Sequence, residues 1–365
     1  MNDADIPESR LEMLAHYDSV VSISSEQKDM KGYLSIAILF ILGASMICRG
    51  EEEQSLRAEW EMPPRCSPLA APRIQDLRQE LHRTGYRLVI AIHPKHPDES
   101  KGETISRDLY VVNADGTGLK QLTKTPRKDE FMPRTSPNGR YFTYNQGKYL
   151  MDVTTLKTRQ IEAGYVWTPD SKRTVKIDKQ AVVYEGIETG KRSKPIPIER
   201  KVWIADMTFD GKWFIFEIRN YLGSKYTIDF MSSSGGEIRK MPNHPKRAGE
   251  CHPAFSPDGK WMCWNAGGGI GIRNFDPSLP GGTDGKIISP PNNAQVMGQD
   301  PCGRWSHCGR YIAYVKIPSD GSWRVHSPIC ILRVADGKTI TISPPGWVGH
   351  HWDYDWIPPA SGSEF

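Results

Sequence analysis

Short apolar runs alternate with tight polar turns over residues 86–358, and one turn phrase recurs between them. Its cleanest copy is Ser256-Pro257-Asp258-Gly259. Proline presets φ at the first corner of such a turn, Asp or Asn tolerates the second, and Gly accepts a positive φ. The weaker copies are Ser136-Pro137-Asn138-Gly139, Thr168-Pro169-Asp170-Ser171, Thr208-Phe209-Asp210-Gly211 and Ser306-His307-Cys308-Gly309. A unit that recurs at a regular spacing indicates a repeat architecture.

The runs around each turn have the composition of β-strands. The run after a turn is rich in aromatic and β-branched residues, as in Lys212-Trp213-Phe214-Ile215-Phe216. Two further runs follow in most units. The residue before the turn is usually large: Trp167, Met207, Phe255 and Trp305. Because successive turns lie roughly 30 to 50 residues apart, each unit matches a four-stranded propeller blade.

The two ends of the repeat region complement each other. Residues 86–124 contain three strand-like runs (Leu88–Ile92, Leu109–Val112 and Leu119–Leu122) but no turn phrase before them. Residues 353–358 form a strand-like run that leads to a turn, with Trp356 in the large-residue position. We expect this run to supply the innermost strand of the first blade, which closes the ring and removes exposed sheet edges.

The sequence therefore predicts an all-β protein, a six-bladed β-propeller closed by the C-terminal strand. The predicted blades are 353–358 with 86–124, then 130–164, 165–201, 202–245, 250–293 and 294–346. Residues 359–365 form a tail.

This repeat resembles that of the TolB-like, WD-repeat-like β-propellers, over about residues 86–358. The resemblance is specific for the fold but not for function, since the repeat serves many unrelated roles. The similarity to TolB suggests a protein-interaction role in the cell envelope. Only about 35 residues, 51–85, separate the predicted signal segment from the first blade. Because this leaves no room for the separate N-terminal domain of TolB itself, we do not assign the Tol-system role.

Residues 1–50 contain a candidate signal peptide or N-terminal anchor. Gly32–Cys48 carries no charge; Lys28 and Lys31 precede its apolar centre, and small residues follow it. The apolar core is short for a membrane span, which favours a cleaved signal, hence a periplasmic or secreted protein, over an uncleaved anchor. Residues 1–29 show no matching pattern, and Met30 is the more ordinary start for a signal.

A linker and a short helix are expected in residues 51–85. Four prolines interrupt residues 51–72, and apolar residues then recur at helical spacing within Arg73–Arg83, at Ile74, Leu77 and Leu81. We expect this amphipathic helix to pack on its own propeller, with partner binding as the alternative.

The charge and the cysteines narrow the possible functions. The formal net charge of the 365 residues is only +4, and the basic clusters fall at predicted turns and strand edges, so no nucleic-acid partner is expected.

None of the seven cysteines has a Cys-x-x-Cys spacing. Cys251 with Cys263, and Cys302 with Cys308, are candidate disulfides, and buried free thiols are the alternative.

The position two residues before each turn defines a predicted ring around the propeller axis, because the innermost strands line the channel. The six residues are Arg134, Val166, Asp206, Ala254, Arg304 and Asp355. Arg134, Asp206, Arg304 and Asp355 either form structural ion pairs or orient a polar ligand.

Three histidines form the second candidate site. His252 precedes an innermost strand, and His350 and His351 precede the closing strand, so the three are expected near one mouth of the channel, where they and Asp353 or Asp355 would bind a divalent metal. The oligogalacturonate lyases, which have related propeller repeats, use histidines around such a metal; no residue is carried over from them. The alternative is that these histidines cap strands or pack beside tryptophans.

No Gly-x-Ser-x-Gly elbow or phosphate-cradling loop is present, which disfavours a prolyl oligopeptidase-like hydrolase. We therefore expect a noncatalytic exported propeller that binds a protein, peptide or glycan at the channel mouth, with no cofactor and no membrane contact beyond an uncleaved N-terminal segment. The alternative is a metal-dependent polysaccharide lyase or hydrolase with His252, His350 and His351 at its centre.

Overall fold

The computed structural model of the protein describes residues 74–93, 106–125, 129–162, 164–220, 225–241, 250–266, 270–278, 286–287, 303–316, 328–345 and 347–359. These residues belong to one compact unit, residues 60–365. The predicted signal segment, the linker and the C-terminal tail beyond residue 359 lie outside the described residues. No helix in the described ranges is long and apolar enough to cross a membrane.

The described strands form six four-stranded antiparallel sheets, and these are the blades of the predicted six-bladed β-propeller. The first blade contains β1 (Arg87–His93), β2 (Asp108–Asn113), β3 (Lys120–Gln121) and the C-terminal strand β24 (Val348–Ile357). The second contains β4 (Arg134–Thr135), β5 (Tyr141–Tyr144), β6 (Tyr149–Asp152) and β7 (Thr158–Gln160), and the third β8 (Val166–Trp167), β9 (Arg173–Asp178), β10 (Ala181–Gly186) and β11 (Ile196–Pro197). The fourth contains β12 (Trp203–Met207), β13 (Trp213–Asn220), β14 (Lys225–Ser232) and β15 (Arg239–Lys240). The fifth contains β16 (Glu250–Phe255), β17 (Trp261–Ala266), β18 (Ile270–Asn274) and β19 (Lys286–Ile287), and the sixth β20 (Arg304–Trp305), β21 (Tyr311–Val315), β22 (Ile329–Arg333) and β23 (Thr339–Thr341).

The C-terminal strand closes the ring as predicted. In the first blade Leu88 pairs with Trp356 and Ile90 with Tyr354. Each innermost strand contacts the innermost strands of both neighbouring blades, so contacts run around the axis from β24 through β4, β8, β12, β16 and β20 back to β24. Trp356 is fully buried in the core between the first and sixth blades. Closure removes the free edges that an open sheet array would expose.

Hydrogen bonds within each turn explain the recurring phrase. In the fifth blade, the hydroxyl of Ser256 donates to Oδ1 of Asp258 at 2.5 Å and accepts from the amide of Trp261 at 3.0 Å. Gly259 has a φ of 66°, which a residue without Cβ adopts at little cost. The third blade departs from the phrase, because Ser171 adopts a φ of 59° where the other turns use glycine.

Tryptophans in the large-residue position connect successive blades. The indole nitrogens of three tryptophans donate hydrogen bonds to the preceding blade. In each case the acceptor is the backbone carbonyl of the residue that lies two positions before the turn. These bonds join Trp167 Nε1 to Arg134 O at 2.8 Å, Trp305 Nε1 to Ala254 O at 3.2 Å, and Trp356 Nε1 to Arg304 O at 2.8 Å. The aromatic residues that precede the turns thus act as wedges between blades.

Helix α1 (Leu77–Thr84) packs against the propeller itself, as expected. It starts later than the predicted Arg73 because the side chain of Asp76 caps it, accepting from the amide of Gln79 at 2.8 Å. Leu77 and Leu81 enter the core of the first and sixth blades. On the same face, the buried carboxylate of Glu80 forms ion pairs with Arg310 and Arg333 of the sixth blade. At the other end of α1, Nδ1 of His82 lies 2.6 Å from Oδ2 of Asp115, which follows β2 of the first blade.

Cys302 and the side chain of Cys251 lie outside the described residues, so neither candidate disulfide is described in full. Cys263 and Cys308 are buried, and Cys330 carries a buried free thiol. In the register of β16 and β17, Cys251 lies opposite Asn265 and Cys263 opposite Ala254, so Cys251 and Cys263 are not cross-strand partners. Cys308 takes the Asp position of its turn, with its Sγ 3.4 Å from Oγ of Ser306. The predicted register of Cys251 with Cys263 is therefore wrong, and the pairing of Cys302 with Cys308 stays a prediction.

Candidate functional site

A cavity on the propeller axis is lined by all six residues of the predicted ring. Its volume is about 90 Å³. The six residues come together because each lies on an innermost strand at the same distance from its turn, so one register places all of them at one depth. Around the axis, in blade order, they are Asp355, Arg134, Val166, Asp206, Ala254 and Arg304.

The charges in this ring are unevenly distributed. Asp355 lies between Arg134 and Arg304 of the two neighbouring blades, so three adjacent blades contribute two positive charges and one negative charge. Asp206 faces them from the opposite blade, between Val166 and Ala254. One side of the cavity is therefore richer in positive charge.

Both aspartates are built into the wall of the cavity. Each carboxylate accepts one hydrogen bond from the amide of the following residue and one from an amide of the next blade. Asp206 accepts from Met207 at 2.8 Å and from Phe255 at 2.9 Å. Asp355 accepts from Trp356 at 2.9 Å and from Thr135 at 2.8 Å. Each of these side chains thus fastens one blade to the next and stays in a fixed orientation.

The arginines are buried beside these aspartates. Arg134 is 5% exposed and Arg304 is 8% exposed. Nη1 of Arg134 donates to the carbonyl of Pro133 at 2.7 Å, which holds the guanidinium against the wall. Burial raises the pKa of Asp206 above its ordinary value, although Arg304 and the two amides oppose that shift.

Tyr165 and Thr135 also line the cavity, although the sequence did not mark them as site residues. The Tyr165 hydroxyl donates to the carbonyl of Ile204 in the next blade. Burial raises the pKa of Tyr165, so this phenol is neutral in the physiological range. Thr135 takes the position that holds a large side chain in the other blades. Its buried hydroxyl has no hydrogen-bond partner among the residues that the structure describes.

Two aromatic side chains meet at the end of the cavity where the turns lie. In the turn phrase, the second position is proline in most blades, and Pro137 and Pro169 line this end of the cavity. Phe209 and His307 replace it in the fourth and sixth blades. Their rings lie 6.2 Å apart between centroids, at 90°. The replacement of proline by Phe209 and His307 at this position is the feature of the sequence from which the pair could have been found.

His307 is held as a neutral imidazole. Burial lowers its pKa to about 4, although the negative charge of Asp355 acts in the opposite direction. The ring of Tyr86 stacks on it at 6.3 Å. Its Nδ1 is buried, without a hydrogen-bond partner in the described ranges. The side chain as a whole keeps partial exposure.

This environment predicts a pH dependence of stability. The ordinary pKa of histidine is about 6.5, so between pH 6.5 and pH 4 the unfolded chain binds a proton at residue 307 that the folded chain does not. The contribution of His307 to folding therefore falls as the pH falls through this window, by about 2 kcal/mol after allowance for its partial exposure. Urea unfolding at several pH values should show a smaller loss for His307→Phe than for the native chain. Equal losses would contradict the assignment.

The histidines of the proposed metal site lie towards the other end of the innermost strands. His252 lies within β16 rather than before it, at a bulge where its φ is 55°. Its amide donates to Oε2 of Glu217 at 2.8 Å, and its Nδ1 lies 3.0 Å from the same oxygen. Burial acts to raise the pKa of Glu217, but the contact with His252 outweighs it and keeps the pKa below its usual value. The carboxylate therefore stays ionised beside the imidazole.

The other two histidines, His350 and His351, lie in β24, which begins earlier than the predicted residue 353. Their side chains are outside the described part of the structure, so the three-histidine hypothesis stays a prediction. Asp353, the expected neighbour of these histidines, pairs with Arg107 at 2.5 Å and accepts from the amide of Met132 at 3.2 Å. Among the described side chains, no group of three or more His, Cys, Asp or Glu residues is placed to hold a metal.

Comparison with known proteins gives distant matches. No protein-family model matches the chain. Dipeptidyl-peptidase 5 of Porphyromonas gingivalis is 24% identical over 298 residues, which is 73% of this chain and 41% of that protein. The chain thus spans less than half the length of this relative.

Two solved structures have the same architecture. TolB from Acinetobacter baumannii matches with a TM-score of 0.57 and 16% identity, over 76% of this chain and 67% of that one. A putative TolB from Agrobacterium tumefaciens matches with a TM-score of 0.52 and 15% identity, over 74% of this chain and 97% of that one. With six blades and closure by the C-terminal strand, the chain therefore has a TolB-like β-propeller fold.

Proposed function

We propose that the chain is an exported, noncatalytic propeller that binds a peptide segment of a protein partner at the mouth of its channel. The observation that carries the proposal is the axial cavity, in which two arginines and two aspartates are held by the blades around it. Such a rigid polar surface binds a ligand without paying a reorganisation cost. The aspartates support binding better than acid–base catalysis, because each already accepts two backbone amides.

The similarities favour a peptide over a glycan as the ligand. One relative is named as a dipeptidyl-peptidase, whose substrates are peptides. The predicted signal segment supports a location in the cell envelope, where the partner would be met.

Affinity capture tests this function. The full-length protein is immobilised, incubated with an envelope extract, and the retained proteins are identified by mass spectrometry. We expect Arg304→Gln to reduce recovery of the specific partner at least about tenfold, because the lost contact is charge-assisted. Arg192→Gln is the control, since Arg192 pairs with Glu162 and Glu185 away from the channel. Circular dichroism confirms that both variants fold. Equal recovery by both variants would contradict binding at the channel.

The same preparations separate the enzyme classes. Hydrolysis of a peptide mixture by the native chain would contradict a noncatalytic role. Stoichiometric Mn, Ca or Zn that is lost in His350→Ala and His351→Ala would favour the metal-dependent lyase or hydrolase instead.

A further inference from the structure

Two aromatic rings that the repeat does not require line the end of the cavity at the turns. Pro137, Pro169 and Pro257 show that proline suits the second position of the turn. Phe209 and His307 come instead from two blades that are not neighbours, and their rings touch edge to face at 6.2 Å.

The charged residues that line the cavity favour one class of ligand. On one side, Arg304 and Arg134 flank Asp355, whose two oxygens already accept the amides of Trp356 and Thr135. This side therefore has a surplus of positive charge. Across the cavity, the carboxylate of Asp206 accepts the amides of Met207 and Phe255, and burial raises the pKa of this group. On the side of Arg134 and Arg304, an anionic group is favoured over a cationic one.

Thr135 gives a second, independent indication. Thr135 is 7% exposed and lines the cavity beside Arg134 and Asp355, and no described residue bonds to its buried hydroxyl. A buried hydroxyl without a partner destabilises a fold. An acceptor that entered the cavity would remove this penalty by accepting a hydrogen bond from Thr135.

The cavity is large enough for a small anionic group. Its volume of about 90 Å³ exceeds the roughly 10–15 Å³ that a single water molecule requires. A carboxylate group fits this space. The inference rests on the proposed function, since a peptide must deliver the group.

We propose that the cavity binds a carboxylate of the peptide ligand, received between Arg134, Arg304 and Thr135, and that Phe209 and His307 form the aperture through which it passes. The carboxylate belongs either to the peptide C-terminus or to an Asp or Glu side chain.

Fluorescence anisotropy with labelled octapeptide pools tests the proposal on the full-length protein. One pool has free C-terminal carboxylates and lacks Asp and Glu, one has C-terminal amides and lacks Asp and Glu, and one has C-terminal amides with Glu at a fixed internal position. We expect at least one carboxylate-bearing pool to bind about tenfold more tightly than the pool without carboxylates, and the two carboxylate pools identify the source. Equal affinity for all three pools would overturn the proposal. Displacement of the peptides by inorganic phosphate and acetate at the peptides' own concentration would overturn it too, in favour of a free-anion site.

Two threonine variants separate binding from folding. Thr135→Val should weaken binding of the preferred pool about threefold to tenfold while the Tm stays unchanged or rises, because a buried hydroxyl without a partner is removed. Thr174→Val is the matched control, since the buried hydroxyl of Thr174 accepts from the amide of Gly164 at 2.9 Å. It should lower the Tm by about 2–6 °C and leave the affinity unchanged. A Thr135→Val variant that loses stability and keeps its affinity would overturn the role of Thr135.

Phe209→Pro tests the aperture, because it restores the recurring turn phrase and removes one of the two rings. The association rate for the preferred pool should rise about tenfold if the Phe209–His307 contact limits access. An unchanged rate would overturn the aperture.

If no pool binds but Arg304 still controls partner recovery in the capture experiment, the carboxylate inference fails and the proposed function stands. If Arg304 has no effect there either, both fail.

Discussion

Replacement of Trp356 by alanine is expected to lower the free energy of unfolding by about 4 kcal/mol. The indole is fully buried between the closing strand and the sixth blade, where it contacts Tyr86 edge to face at 5.5 Å. Its removal leaves a cavity and deprives the carbonyl of Arg304 of its hydrogen-bond donor. Urea unfolding followed by circular dichroism measures the effect.

Two further tryptophan variants show where the loss comes from. Trp356→Phe keeps most of the volume and removes the indole donor, so an intermediate loss of about 1–3 kcal/mol is expected. Trp203→Ala is the partly exposed control: Trp203 is 40% exposed and its ring lies 5.6 Å from that of Tyr165, so its loss should be smaller, about 1–2 kcal/mol. If Trp356→Ala were no more destabilising than Trp203→Ala, the C-terminal strand would not hold the ring closed.

The second large effect is expected at the N-terminal helix. Glu80→Ala should cost about 3 kcal/mol, because it removes the carboxylate that pairs with Arg310 and Arg333 and accepts from the Tyr311 hydroxyl at 2.7 Å. Arg333 is 1% exposed, so its charge would remain buried with Asp336 as its remaining ion-pair partner in the described structure. Denaturant unfolding of the variant measures the loss.

Glu162→Ala is the matched control for this network. The Glu162 side chain is 81% exposed, and its ion pair with Arg192 spans 3.2 Å at the surface. Such pairs contribute about 0–1 kcal/mol, so the variant should unfold close to the native chain. Similar losses for the two glutamates would mean that α1 is not fastened to the sixth blade through Glu80.

The fold was predictable because one local rule repeats. A turn of defined chemistry between runs of β-forming residues sets the blade, and the incomplete units at the two ends predict the closing strand. Two local details of the fold were not predictable from the repeat. The bulge at His252 placed that residue inside its strand, and the capping by Asp76 moved the start of α1, since both depend on a single side chain's hydrogen bond.

The position of the candidate site was predictable, but its hydrogen bonding was not. Counting back two residues from each turn found the six residues around the cavity, because a strand fixes which side chains face the axis. The same count does not show that Asp206 and Asp355 accept amides of the neighbouring blade. It also missed Phe209 and His307, whose contact joins two blades that are not adjacent in sequence.

The double attachment of Asp206 and Asp355 restricts how this protein changes through evolution or design. A substitution at either residue would leave two backbone amides without acceptors, so neither is free to acquire a new specificity. Val166 and Ala254 line the same cavity, but their apolar side chains accept no hydrogen bonds. Variation between related chains should therefore concentrate at these two apolar positions, and they are where an engineered recognition group is best introduced.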